Sequence, residues 1–62
     1  MIRSVGYDQA RSIIEIEFQS GKIYQYRGVP YRIYVELMSA GSKGSYFDAH
    51  IKNAGYSYQR SL

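Results

Sequence analysis

Apolar and polar residues alternate through the first half of the chain. In IIEIEF, Ile14, Ile16 and Phe18 fall on one face and Ile13, Glu15 and Glu17 on the other. A period of two in β-branched residues predicts a half-buried strand. Ahead of it, RSVGYD carries Val5 and Tyr7 on a common face. The intervening DQAR suits a tight turn. A loop of those four residues would set Tyr7 opposite Ser12 and Val5 opposite Ile14, which places Val5 on the face of Ile14. After Phe18 comes QSG and then KIYQY. A three-residue hairpin loop combines a type I turn with a left-handed residue, best filled by glycine. With Gln19, Ser20 and Gly21 as that loop, Phe18 pairs with Lys22, Ile16 with Tyr24 and Ile14 with Tyr26. A two-residue Ser20-Gly21 loop would shift the register by one and turn both tyrosines outward. The three-residue loop is favoured, because it gathers the apolar set and gives Gly21 a role.

The period then changes. Pro30 suits the start of a helix. In PYRIYVELMSA, Ile33, Tyr34, Leu37 and Met38 recur at helical spacing, and Gly41 is expected to end the helix. A second short helix is expected from Ser42 or Ser45 to Asn53, with Phe47 and Ile51 inward. Ser45 and Asp48 have the spacing of a capping box with Asp in place of Glu, and Gly55 is a candidate C-terminal stop. The tail YSYQRSL alternates again and offers a short last strand carrying Tyr56 and Tyr58. The order β-β-β-α-α-(β) predicts an α+β domain: a three-stranded antiparallel meander, with a short C-terminal strand to extend it, covered on one face by two helices. The other face, with Ile13, Glu15, Glu17, Ile23 and Gln25, is left to solvent or a partner.

Composition narrows the chemistry. The chain has 62 residues and no repeat or linker, so residues 1–62 are read as one domain. A domain of this size buries only about 60% of the surface its unfolded chain exposes. There is no cysteine and a single histidine, His50, which removes disulfides and Cys-based zinc sites and argues against any metal site. An aromatic core or self-association must supply the stability instead, and eight tyrosines are present. Net charge is +3 with the cations dispersed, which is compatible with nucleic acid and does not demand it. The N-terminus lacks the apolar run of a signal peptide, and no stretch approaches the ~20 apolar residues of a membrane span. A complete, soluble, cytoplasmic protein without cofactor is the expectation.

Two patterns carry a resemblance. The first is F-x2-G-x2-Y-x-Y-x2-V-P, here Phe18, Gly21, Tyr24, Tyr26, Val29 and Pro30; the second is S-x-G-x2-F, here Ser42, Gly44 and Phe47, followed by Ile51. Upstream, SVGYD before a strand also fits. The chain resembles the KTSC domain family over nearly its whole length. That resemblance implies a small module found alone in bacteria and their phages, and at the C-terminus of some lysyl-tRNA synthetases. The family has no established function, and RNA binding is implied through the tRNA context alone. Position 48 is Asp here where the family leads one to expect Asn, which would weaken a phosphate contact made there.

Four groups of residues are candidates for function. Tyr24 and Tyr26, with Phe18 and Phe47, form the core motif; on the hairpin register they are packing residues, whereas on the alternative register they are a stacking platform for bases. The GSKGS stretch offers Ser42, Gly44 and Ser45 as a phosphate loop at a helix start; the alternative is an ordinary helix–helix turn capped by a serine. It is not a GxxxxGK[ST] loop, so ATP hydrolysis is not implied. Arg27, Arg32, Lys43, Lys52 and Arg60, with Tyr31, Tyr56 and Tyr58 as stackers, would bind RNA if the fold brings them to one edge; otherwise they are solvated surface. His50, Asp48 and Lys52 make no catalytic dyad, since residues two apart on a helix do not face each other. The expectation is therefore a non-enzymatic module binding tRNA or single-stranded RNA. The competing expectation is a protein-interaction module or homodimer using a sheet edge or the Ile13/Ile23 face.

Overall fold

In the computed structural model, which describes residues 1–61, Gly21 sits at φ +93°, and the Phe18 amide donates to the Lys22 carbonyl at 2.9 Å. The three-residue loop is thus the one formed. Strand β2 (Ile13–Phe18) then pairs with β3 (Ile23–Arg27) so that Ile14 faces Tyr26 and Ile16 faces Tyr24. Strand β1 (Ile2–Asp8) flanks β2 on its other side, and β4 (Ser57–Arg60) completes an antiparallel sheet of order β1-β2-β3-β4. The C-terminal strand is a full member of the sheet; Tyr56 precedes it and Tyr58 lies within it.

The first turn differs from expectation. Asp8 stays in the strand opposite Ile13, and its Oδ1 accepts from the amides of Ala10 and Arg11 at 3.0 and 3.2 Å. Ser12 takes a left-handed conformation at φ +56°. The loop is therefore Gln9–Ser12, and Tyr7 pairs with Ile14 and Val5 with Ile16, two residues away from the anticipated register. An even shift leaves every side chain on its face, so Val5 and Tyr7 still join the core side. A bulge between Ile2 and Ser4 brings Ile2 opposite Phe18 and onto the same side.

Helix α1 (Tyr31–Ser39) begins after Pro30, which is extended at ψ 148°. Its start is pinned to the sheet: the Tyr7 hydroxyl donates to the Val29 carbonyl at 2.6 Å, and the Val29 amide donates to the Ser12 carbonyl at 2.9 Å. Leu37 is buried, while Met38, expected inward, is 42% exposed because α1 leans on the sheet through Ile33, Tyr34 and Leu37. The helix stops at Ser39 with Ala40 extended, so Gly41 is not the stop. Helix α2 (Lys43–Phe47) is capped by Ser42, whose Oγ accepts from the Ser45 amide at 3.3 Å. The anticipated Ser45/Asp48 box does not form, because the cap lies three residues earlier. From Asp48 to Lys52 the helix widens into a π-turn, and the Asn53 amide donates to the Asp48 carbonyl at 3.2 Å. Gly55, at φ +90°, then redirects the chain toward β4.

The core lies between the sheet and this helical layer. Ile14, Ile16, Val29, Leu37 and Ile51 are fully buried, and Tyr26 and Phe47 are 4% exposed. Ring contacts close it: Phe47 meets Phe18 and Tyr26 edge-on, each at 5.6 Å between centroids. Among the described residues no helix is long and apolar enough to cross a membrane.

Candidate functional site: an aromatic groove beside the π-turn

Opposed residues in an antiparallel sheet share a face, so the register fixes what each side presents. One row on the helical side runs Tyr7–Ile14–Tyr26–Tyr58, and the next runs Val5–Ile16–Tyr24–Arg60. The helices cover the β1–β3 part of these rows and leave the β3–β4 part open. Tyr58 is 60% exposed, Tyr24 half-buried and Tyr26 buried. Their rings form one cluster: Tyr24 and Tyr26 stack at 6.4 Å between centroids, and Tyr58 lies tilted against both, 5.4 Å from Tyr26 and 5.8 Å from Tyr24. Phe18 meets Tyr24 edge-on at 5.8 Å. The core and platform readings of YQY therefore divide between its two tyrosines: Tyr26 packs, and Tyr24 reaches the opening.

This opening is a groove of about 420 Å³ between β3–β4 and the π-turn. Its aromatic lining is Phe18, Tyr24, Tyr26, Tyr58 and Phe47; its polar rim is Asp48, Lys52 and Asn53. The π-turn explains that rim. In an α-helix a residue and the fifth after it lie on different sides, whereas an i→i+5 turn brings them one above the other. Lys52, four residues after Asp48, would share its side in an ordinary helix; the π-turn adds Asn53, so that all three reach one groove. Among the described residues, none of these three side chains is engaged in a hydrogen bond or ion pair. The Tyr26 hydroxyl also has no such partner, yet among the described residues no buried side-chain polar atom is left unsatisfied. The small exposed part of Tyr26 is thus its hydroxyl, which opens into the groove. Burial, reinforced by the Tyr24 and Tyr58 phenols and the Asp48 carboxylate, pushes the Tyr26 phenol above its ordinary value. It stays protonated at neutral pH, able both to donate and to accept.

The structure brings some of the anticipated RNA-binding residues together and separates others. Lys52 and Tyr58 line the groove, and Arg60 shares the row of Tyr24. Tyr56 is half-buried against the core. Tyr31 and Arg32 lie on α1: Tyr31 packs on Tyr7 and Tyr34 at 5.5 and 5.9 Å, and Arg32 stands 3.8 Å from Glu36. Glu36 also accepts from the Tyr46 hydroxyl at 2.5 Å, and partial burial together with this bond pushes the Tyr46 phenol up to about 12. Arg27 points to the uncovered face, where its guanidinium donates to Gln59 at 2.9 Å. Lys43 opens α2. In the GSKGS stretch, Ser42 and Ser45 hydroxyls are 3.1 Å apart and belong to the helix cap, while Gly44 lies under the Met1 side chain.

The uncovered face is polar. Ser4 donates to Glu17 and Gln25 to Glu15, each at 2.9 Å. Ile13 stands opposite Arg27 and Ile23 opposite Glu17, with the Glu15–Gln25 pair between them, so the two isoleucines do not form one apolar patch. Among the described residues no cluster of three His, Asp or Glu side chains could hold a metal.

Asn53 and the groove role of Asp48 were not legible as site features in the sequence. The only signal is their spacing of five, which has meaning only once the π-turn is known.

Comparison with known proteins places this fold. The KTSC domain family matches residues 1–56. An uncharacterised protein of Stutzerimonas stutzeri is 41% identical over 59 residues, covering 95% of this chain and 83% of that protein. The lysine–tRNA ligase of Nostoc punctiforme is 38% identical over 52 residues, which span 84% of this chain but 9% of the ligase. A KTSC domain protein from Yersinia pestis, solved by crystallography, superimposes with a TM-score of 0.89 at 42% identity over 95% of this chain and 82% of its own. With the same fold and a family match over nearly its full length, this chain belongs to the KTSC domain family.

Proposed function

We propose that the domain is a non-enzymatic RNA-binding module that engages a single-stranded segment, such as a tRNA loop or end, along the groove side of the sheet. The observation that carries this reading is the contact of Tyr24 with the exposed Tyr58 beside Lys52, which has no hydrogen-bond or ion-pair partner among the described residues. Aromatic rings accept unstacked bases regardless of sequence, and a neighbouring cation holds the backbone phosphate. The related segment in lysine–tRNA ligases supports the same reading, since those enzymes act on tRNA. Charge also favours this face: the uncovered side carries Glu15 and Glu17 against Arg27, whereas the groove side carries Lys52 and Arg60 against Asp48.

Fluorescence anisotropy with a labelled tRNA pool, repeated from low to moderate salt, tests it. Two or three phosphate contacts predict a log–log salt slope of roughly −1.5 to −2. Lys52→Glu and Tyr58→Ala should each weaken binding while the thermal melt stays close to that of the parent. Unchanged affinity in both variants would remove the groove from the account.

A further inference from the structure

The groove has more chemistry than a stacking platform needs. A sequence-neutral platform requires rings and cations; a carboxylate beside them costs affinity for a polyanion. Yet Asp48 lies on the rim, within electrostatic reach of Tyr26, and makes no ion pair among the described residues. Asn53 and the Tyr26 hydroxyl stand with it as further unengaged polar groups. At about 420 Å³ the groove is near the lower end of the ~300–1,000 Å³ range of small-ligand sites, which suits one nucleotide and not a helix.

Resting on the RNA-binding reading above, we propose that the π-turn groove is a base-reading pocket that selects guanine from a single strand. The base stacks on Tyr58 and Tyr24. Its Watson–Crick edge turns toward the π-turn, where the Asp48 carboxylate accepts from two adjacent donors, the ring N–H and the exocyclic amino group. Guanine alone among the four bases presents that pair of donors side by side on this edge. A carboxylate accepts two parallel hydrogen bonds in this geometry and is acceptor-only when ionised. The Tyr26 hydroxyl or the Asn53 amide donates to the guanine carbonyl that adjoins the pair. Lys52, one turn along, holds the phosphate of the same nucleotide. Adenine would place its ring acceptor against the Asp48 carboxylate, leaving two acceptors facing each other.

The test compares two oligonucleotides, UUGUU and UUAUU, by NMR titration of the labelled protein and of Asp48→Asn, whose rim position is exposed and whose fold is checked by thermal melting. The parent should bind UUGUU roughly tenfold more tightly, within the range of one good bidentate base contact. Asp48→Asn should bind UUAUU at least as well as the parent does and lose most of the preference. Equal affinity of the parent for both oligonucleotides, with shifts in the groove, would overturn guanine selection and leave the RNA module standing. A preference that survives in Asp48→Asn would equally overturn the assignment to Asp48. No binding of either strand, or of tRNA, would remove both readings together.

Discussion

Tyr26→Ala tests whether the second tyrosine of YQY is a core ring. Tyr26 is 4% exposed, stands opposite Ile14, and lies within 5.6 Å of the Phe47 ring and 5.4 Å of the Tyr58 ring. Removing a buried aromatic ring costs about 3–5 kcal/mol in most cores. The two ring contacts place this site toward the upper part of that range. A chain of 62 residues has a total stability of roughly 3–9 kcal/mol at the usual per-residue values. The substitution therefore consumes half or more of the folding free energy. At ~4–8 °C per kcal/mol for a domain of this size, the melting temperature should fall by roughly 12–40 °C. The assay is thermal and urea unfolding followed by far-ultraviolet circular dichroism, with Tyr58→Ala alongside. Tyr58 is 60% exposed, so its loss should cost about 1 kcal/mol or less. A Tyr26→Ala protein melting within a few degrees of the parent would refute the packing assignment and return the whole motif to the surface.

Three other outcomes follow from particular contacts. Gly21→Ala forces a side chain into φ +93° and should destabilise the domain by about 1–3 kcal/mol in urea unfolding, whereas Ser20→Ala at the same turn should do little. Tyr7→Phe removes the donor to the Val29 carbonyl and should cost about 1–2 kcal/mol, with the loss of amide protection concentrated at the start of α1 in hydrogen exchange. In a spectrophotometric tyrosine titration, Tyr46 should ionise late, near 12, and Tyr46→Phe should delete that late step. Because the folded value is raised above the unfolded one near 10, the stability Tyr46 contributes is complete below pH 10 and is lost as pH rises toward 12.

The sequence was most legible where a local rule has a single low-energy solution. Gly21 permits one three-residue loop, and the strand period carries that choice into every pairing of β2 with β3. The register of β1 was legible only to an even shift, because Asp8 can cap a turn from inside the strand as readily as from the loop. The groove was not legible. Phe47–Lys52 has the apolar spacing of an ordinary helix, and nothing local marks the change to i→i+5 bonding that sets Asp48 and Asn53 on one rim. Nor could dispersed cations be assigned to faces without the sheet order. Once β4 lies beside β3, parity sends Arg60 to the groove side and Arg27 to the opposite one.

The proposed RNA contact lies on the groove side of the sheet. The most direct test is an NMR titration of labelled protein with a mixed tRNA pool at low and then moderate salt. Binding along the groove should shift only Tyr24, Lys52, Asn53 and Tyr58, with the shifts shrinking as salt rises and Glu15, Glu17 and Gln25 silent. Shifts centred on Glu15, Glu17 and Gln25, or none at RNA excess, would contradict it.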